Sequence, residues 1–256
     1  MPAPDVTRLP LTQRDDLVRE QLGDVPLARP RDDAPPSVRV GVSGSGDRLL
    51  VLTWTAADLA RERASGTRVL RRLGVEPGMR VANTLPGALA TPGSLLLGDV
   101  VEELGALDVP LGVVNSEAAA RQAWDLVDRV RPDVLVLADA AAFFAHAPAA
   151  SRPWWRGIVW LCSPSPVPAS TGFAGWQRTW VAVPEATSFV AAECGSGRLH
   201  VDEAVVAEVI DGALVVTALG FEAPLVRYVT DVKARLSATP CACGDGGPIL
   251  EPVSYT

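Results

Sequence analysis

Lysine is almost absent from this 256-residue sequence: of 23 basic residues, only Lys233 is a lysine. Any step that requires a lysine ammonium must therefore use Lys233 or a group from elsewhere. Basic charge is scarce in sum as well. Thirty acidic residues give a net charge of -7 and a pI near 4.9, which leaves no electrostatic footprint for nucleic acid. No apolar run reaches the roughly 18 residues that span a bilayer. Met1-Pro2-Ala3-Pro4-Asp5 lacks the basic start and apolar stretch of a secretory signal. The expectation is a cytoplasmic protein with no membrane and no nucleic-acid partner. Four cysteines are few, and a chain of this size buries enough surface to need no disulfide staples. What is abundant is apolar: 48% hydrophobic residues against 21% charged, with a mean hydropathy of +0.20, define a globular chain with a substantial core.

Residues 1–37, rich in proline and charge, read as an N-terminal arm with one helical stretch. Thr12 and Asp15 resemble a capping box there, and Leu17, Val18 and Leu22 share a face. The alternating segment 37–42 and the apolar run 49–54 flank Ser43-Gly44-Ser45-Gly46-Asp47, a hairpin with a glycine-serine turn. Thr55 caps a helix through residue 73, ended by Gly74. Strands at 80–83, 108–114 and 134–137 then alternate with helices at 94–104 and 116–130. That alternation predicts an α/β layer of about three parallel strands covered on both faces, in a subdomain spanning 38–180. Five of the seven tryptophans fall between 153 and 180, around an apolar strand at 158–161. They suit either an aromatic-substrate pocket or core packing. Beyond 180 the apolar segments are short (180–183, 199–201, 205–210, 214–218 and 225–228). They predict a small antiparallel sheet or partial barrel over 181–256.

The most specific local signal is Cys194-x5-His200 followed by Cys241-x-Cys243-Gly244. Thiolate and imidazole suit tetrahedral zinc, and four ligands leave no open position, so such a zinc is structural. Unconnected thiols, a disulfide and a catalytic zinc with one ligand missing are the alternatives. Cys162 stands apart and reads as a core thiol. The Ser43–Gly46 turn can offer backbone N–H groups to a phosphate, yet it fits no Walker pattern and also reads as a plain turn. The carboxylates 185, 193, 202, 208, 211 and 231 read individually as surface groups.

Several segments in one order carry a resemblance. Arg8-Leu9-Pro10-Leu11-Thr12 with Asp15-Asp16-Leu17 is similar to an "LP-x-T-x-K-x-x-L" pattern. Ser43-Gly44-Ser45-Gly46 stands where a Ser-Gly-Thr-Thr-Gly-Lys loop belongs. Gly74-Val75-Glu76-Pro77-Gly78, Gly105-Ala106-Leu107-Asp108-Val109-Pro110 and Arg131-Pro132-Asp133-Val134-Leu135 follow, then Pro184-Glu185-Ala186, Leu199-His200-Val201, Val226-Arg227-Tyr228-Val229-Thr230-Asp231 and Cys241-Ala242-Cys243-Gly244. The whole resembles the phenylacetate-CoA ligase branch of the adenylate-forming ligases. The resemblance implies activation of a carboxylic acid by ATP to an acyl adenylate, with transfer to a thiol such as coenzyme A. It makes Glu185 the magnesium-associated carboxylate, makes Asp231 the ribose ligand, and matches the Cys and His set to a zinc site of some relatives.

The departures are specific. Ser45-Gly46-Asp47-Arg48 replaces Thr-Thr-Gly-Lys and sets an anion where a triphosphate would lie. Val181-Ala182 replaces a Tyr-Gly pair whose ring stacks on adenine. Val229-Thr230-Asp231 is one residue short of Arg-Thr-Gly-Asp. The sequence stops at Thr256, before the family's lid domain and its adenylation lysine, and the body is compressed between 137 and 180. The expected function is a reduced ligase-like protein that binds an aryl or acyl substrate for activation, transfer or condensation, with ATP, magnesium and CoA binding weakened. A non-catalytic, zinc-stabilised scaffold is the alternative; either would pair with itself or a partner over the surface the missing domains would cover. A zinc hydrolase is a third reading, which the four-ligand spacing opposes.

Overall fold

A computed structural model describes residues 6–21, 36–87, 91–138 and 140–254. The first helix, α1 (Arg14–Gln21), buries Leu17, while Leu22 lies outside the described residues. Thr12 is not its cap. It pairs instead with Tyr228, accepting from the Val229 N–H at 3.0 Å and donating its hydroxyl to the Val226 carbonyl at 2.8 Å. The expected hairpin forms from β1 (Arg39–Ser43) and β2 (Leu50–Trp54), with Ser43 opposite Leu50. Leu50, Leu52 and Trp54 enter the core. Thr55 then caps α2 (Ala56–Arg72) in a full capping box: its hydroxyl accepts from Asp58 N and its N–H donates to Asp58 Oδ2.

The main sheet begins with β3 (Arg80–Asn83) and proceeds through α3 (Ser94–Leu104), β4 (Leu107–Pro110), α4 (Glu117–Val130), β5 (Val134–Leu137), α5 (Ala141–Ala145), β6 (Gly157–Leu161) and β7 (Trp176–Val183). These strands are parallel in the order β4-β3-β5-β6-β7. The pleat of β5 shows why: Val134 and Val136 join the cluster of α2 and α3, and Leu135 and Leu137 join that of α4 and α5. A strand covered on both faces is apolar throughout. Five strands rather than three lie parallel, because the loop from 162 to 175 crosses over with only a single short 3-10 turn and no helical periodicity to announce it.

From β7 the sheet turns antiparallel through β8 (Thr187–Glu193), β9 (Leu199–Val201), β10 (Val205–Ile210), β11 (Ala213–Ala218), β12 (Tyr228–Ser237) and β13 (Ile249–Ser254). The spatial order from β8 is β9, β13, β12, β11 and β10, so this β-rich half continues the parallel half edge to edge in one 11-stranded sheet. Of the segment 225–228, residues 225–227 are a loop and Tyr228 opens the longer β12.

The tryptophan-rich stretch is core. Trp155, Trp160 and Trp180 are buried, and the Trp180 ring stacks on Phe189 at 5.0 Å. Their indole N–H groups are spent internally, on the Gly157 carbonyl, Gln177 Oε1 and the Ser188 carbonyl. Trp176 lies over Gly157, where a Cβ would come within 2.3 Å of the ring.

Candidate functional site

Two groups of chemistry-bearing side chains lie near opposite ends of β8. Cys194 follows the strand, and its sulfur meets Cys241 at 3.7 Å, while His200 Nε2 lies 3.3 Å from Cys243 Sγ. One ligand atom from each of the four falls within 4.8 Å of every other, so the group could hold a metal ion. The fit is that of a tetrahedron, whose edges measure about 3.8 Å for metal–sulfur bonds of about 2.3 Å. A disulfide bond of about 2.05 Å is excluded at this separation, and all four cysteines are free.

The loop from β12 to β13 is shaped for this role. Gly244 adopts φ +84°, and its backbone N–H donates to the Cys241 carbonyl at 3.1 Å. The Cys243 N–H first, and His200 next, draw the Cys241 thiol down to about 6. Cys162 lies apart at the end of β6, part-buried, with burial pushing its thiol up.

At the other end of β8, Glu185 occupies the turn after β7 and is buried. Its Oε1 accepts from Arg14 of α1 and from the Ser43 hydroxyl. Arg14 also donates to the Ser43 carbonyl at 3.0 Å and the Arg48 carbonyl at 2.8 Å. It thereby fills the concave side of the glycine-serine turn. Gly44, at φ +80°, permits this approach, since a Cβ there would lie 2.3 Å from Arg14 Nη2. Burial opposes the Arg14 charge, but Glu185 and Tyr228 outweigh it, and the guanidinium is held above its ordinary pKa. Burial, then the charge of Glu185, push the Tyr228 hydroxyl up as well, so it remains protonated.

Glu185, Ser43 and Gly44 are thus brought together, whereas Ser45 and Gly46 lie exposed on the outer side of the turn. Asp231 is exposed on β12, and its charge is the weakest of those acting on Tyr228. Asp47 is exposed, and Arg48 is paired with Asp15 at 2.8 Å. Sequence reasoning missed Arg14 and Tyr228. One signal pointed to Arg14: it stands at the lysine position of the "LP-x-T-x-K-x-x-L" pattern.

A cavity of about 450 Å3 opens where the parallel strands end, lined by Thr84 and Pro86 after β3, Val113 to Asn115 after β4, and Ala138, Ala141 and Ala142 around the start of α5. The strand order reverses between β3 and β5, and such a crevice at the carboxyl ends of parallel strands is where open α/β sheets receive ligands. The buried Thr84 hydroxyl has no partner there.

This five-stranded parallel layer with its antiparallel extension is a fold shared with solved CoA ligases. The chain superposes on a 2-hydroxyisobutyryl-CoA ligase solved with 2-HIB-AMP and CoA with a TM-score of 0.82 at 17% identity, over 96% of this chain and 59% of that one. The anthranilate CoA ligase AuaEII, solved with anthranoyl-AMP, gives 0.56 at 14% identity over 83% and 46%. The N-terminal domain of FACL13 from Mycobacterium tuberculosis gives 0.59 at 12% over 88% and 62%. The chain therefore spans less than two thirds of these proteins' lengths. No protein-family model matches it, and no curated protein does. No helix among the described residues is long and apolar enough to cross a membrane.

Proposed function

We propose that the chain binds an acyl or aryl group, as the free acid or an activated derivative, and serves in acyl transfer or condensation without activating the acid by itself. The observation that carries this reading is the Arg14, Glu185 and Ser43 cluster beside the inner face of the glycine-serine turn. The turn and the carboxylate converge, as a ligase-like site requires. Yet the guanidinium sits where a triphosphate would need open backbone N–H groups, and it already neutralises the carboxylate that magnesium would use. These residues do not fit magnesium triphosphate, so no adenylation step is assigned to them. An anionic ligand of lower charge, a carboxylate or an adenylate phosphate, would have to share Arg14 with Glu185, while the crevice beside Thr84 is the cavity open to an acyl chain.

We read the metal as zinc in a structural site, since three thiolates and one imidazole complete a tetrahedron. The seven residues of β8 extend roughly 23 Å at about 3.3 Å per residue, which keeps the ion far from Glu185.

A thermal-shift panel of aryl and short acyl acids, their CoA thioesters, AMP and MgATP tests the reading, because any ligand of the native state raises the melting temperature. An acid or thioester should shift it and MgATP should not. ATP–pyrophosphate exchange above blank with any acid overturns the reading in favour of a self-contained ligase, and a panel with no shift at all overturns it in favour of a scaffold.

A further inference from the structure

Beside the four candidate ligands stands a second layer of polar groups. His200 is completely buried, with Nε2 turned to the thiols and Nδ1 without a partner. The nearest acceptor to that orphan nitrogen is Asp245 Oδ2, 3.9 Å away. Asp245 is itself held on both oxygens: Oδ1 accepts from the Gly247 N–H at 2.9 Å, and Oδ2 accepts from Arg72, the last residue of α2. Arg72 retains one buried nitrogen, Nη1, also without a partner. The orphaned His200 nitrogen thus lies nearest a carboxylate already held by Arg72, and a ring movement of about 1 Å would bring Nδ1 into hydrogen-bonding range.

From this geometry we infer that Asp245 and Arg72 are the positioning residues of the metal centre, Asp245 accepting a hydrogen bond from the His200 Nδ1–H and Arg72 clamping Asp245. The inference rests on the metal reading above. Its physical reason is the tautomer: a proton fixed on Nδ1 leaves the Nε2 lone pair for the ion and raises the basicity of the ring. Charge supplies a second reason. Three thiolates around a divalent cation leave one net negative charge, to which Asp245 adds another, and the guanidinium offsets it at the end of the helix. The arrangement also ties the ligand loop to α2, an element that contributes no ligand.

The test uses the full chain and zinc itself. Zinc affinity is measured by competition with a chromophoric chelator for the parent, Asp245→Asn, Asp245→Ala, Arg72→Gln and Cys241→Ser. Loss of such an outer partner weakens metal affinity by about 10- to 100-fold, so both Asp245 variants should fall in that range and Arg72→Gln should move in the same direction. A long-range proton–nitrogen correlation spectrum of the zinc-loaded parent supplies the readout that a merely structural role would leave unmoved. His146 is the sole other imidazole, and His200 should show a protonated Nδ1 and a metal-shifted Nε2. If the parent binds zinc but both Asp245 variants stay within twofold of it, or if Nδ1 carries the metal, this inference is overturned and the metal reading stands. If the parent binds no zinc, or Cys241→Ser binds as tightly as the parent, the metal reading falls and this inference with it. Should an Asp245 variant fail to fold, the spectrum of the parent decides.

Discussion

Replacing Arg14 by methionine removes the cation from a pair whose side chains are 17% and 7% exposed. The Glu185 carboxylate would stay buried with the Ser43 hydroxyl still on it, and the Ser43 and Arg48 carbonyls would each lose a donor. Removing one partner of a buried ion pair costs about 3 to 5 kcal/mol, because the charge left behind is no longer compensated. The lower end applies here, since the pair lies against an arm at the molecular surface and water can enter when Arg14 is shortened. A loss of about 3 kcal/mol is the expectation. Replacing both partners, Arg14→Met with Glu185→Gln, removes the orphaned charge and should recover more than half of that loss. Urea denaturation at neutral pH, read by tryptophan fluorescence, measures both differences. A single variant within 0.5 kcal/mol of the parent (about 0.5 being the scatter of innocuous surface changes), or a double variant no more stable than the single one, would refute the reasoning. The same variant carries a ligand test. With Arg14 gone, Glu185 is available to a cation, so magnesium should raise the melting temperature of Arg14→Met while leaving the parent unchanged.

Three further outcomes are expected. Protein purified without added metal should carry about one zinc per chain, and chelation should lower its melting temperature, whereas Cys162→Ala should leave metal content untouched because that thiol lies outside the cluster. Gly66→Ala on α2 should destabilise by about 1 to 3 kcal/mol despite a gain of about 1 kcal/mol in helix propensity, since the new Cβ would lie 2.6 Å from Val100 and 2.7 Å from Phe189; calorimetry of the variant checks this. Burial raises the Asp108 carboxyl to about 6, with Asn83 opposing through a 3.2 Å hydrogen bond. Its folded pKa exceeds the unfolded value, so the stability linked to its proton is full below about 4 and is lost as pH rises through 6. Asp108→Asn should therefore stabilise the chain at pH 7 by about 1 kcal/mol, the shift being discounted for the half-exposed site, and should flatten the stability profile between pH 4 and 7.

Periodicity made the parallel half legible. The bounds of α3, β3 and β5 fall where apolar spacing puts them, because strands buried on both faces and helices buried on one leave clean patterns. The β8 strand was not legible as a strand. Most of its residues, Thr187-Ser188-Phe189-Val190-Ala191-Ala192-Glu193, are small or polar enough to read as loop, and they are buried because β7 and β9 flank the strand and α2 covers Phe189 and Ser188. The β12 strand was hidden for the opposite reason: Asp231, Lys233 and Arg235 are solvent-facing residues of a half-exposed strand and interrupt its apolar signal. The Cys and His group that could hold a metal was readable from spacing, but Asp245 and Arg72 were not. An aspartate beside a cysteine pair is common, and only the fold brings the end of α2 to it.

The two sites also constrain one another through β8. Six of its seven residues are buried, it pairs on both sides, and it carries Glu185 two residues before its start and Cys194 directly after its end. A metal bound by Cys194, His200 and the 241–243 loop fixes the register of β8 against β9 and of β9 against β13, where Leu199 faces Leu250. Burial of β8 already specifies its register, the metal would add a second restraint, and a slip of one residue would turn Glu185 away from Arg14 and Ser43. A metal there would act on the carboxylate without approaching it, by holding the strand that presents it. Metal removal should for that reason weaken ligand binding at the Arg14 cluster before the fold is lost. Titration of the best ligand from the thermal-shift panel against zinc-loaded and chelated protein, at a temperature where both remain folded, decides the point. Equal affinities would show that the hairpin and α1 alone hold Glu185 in place.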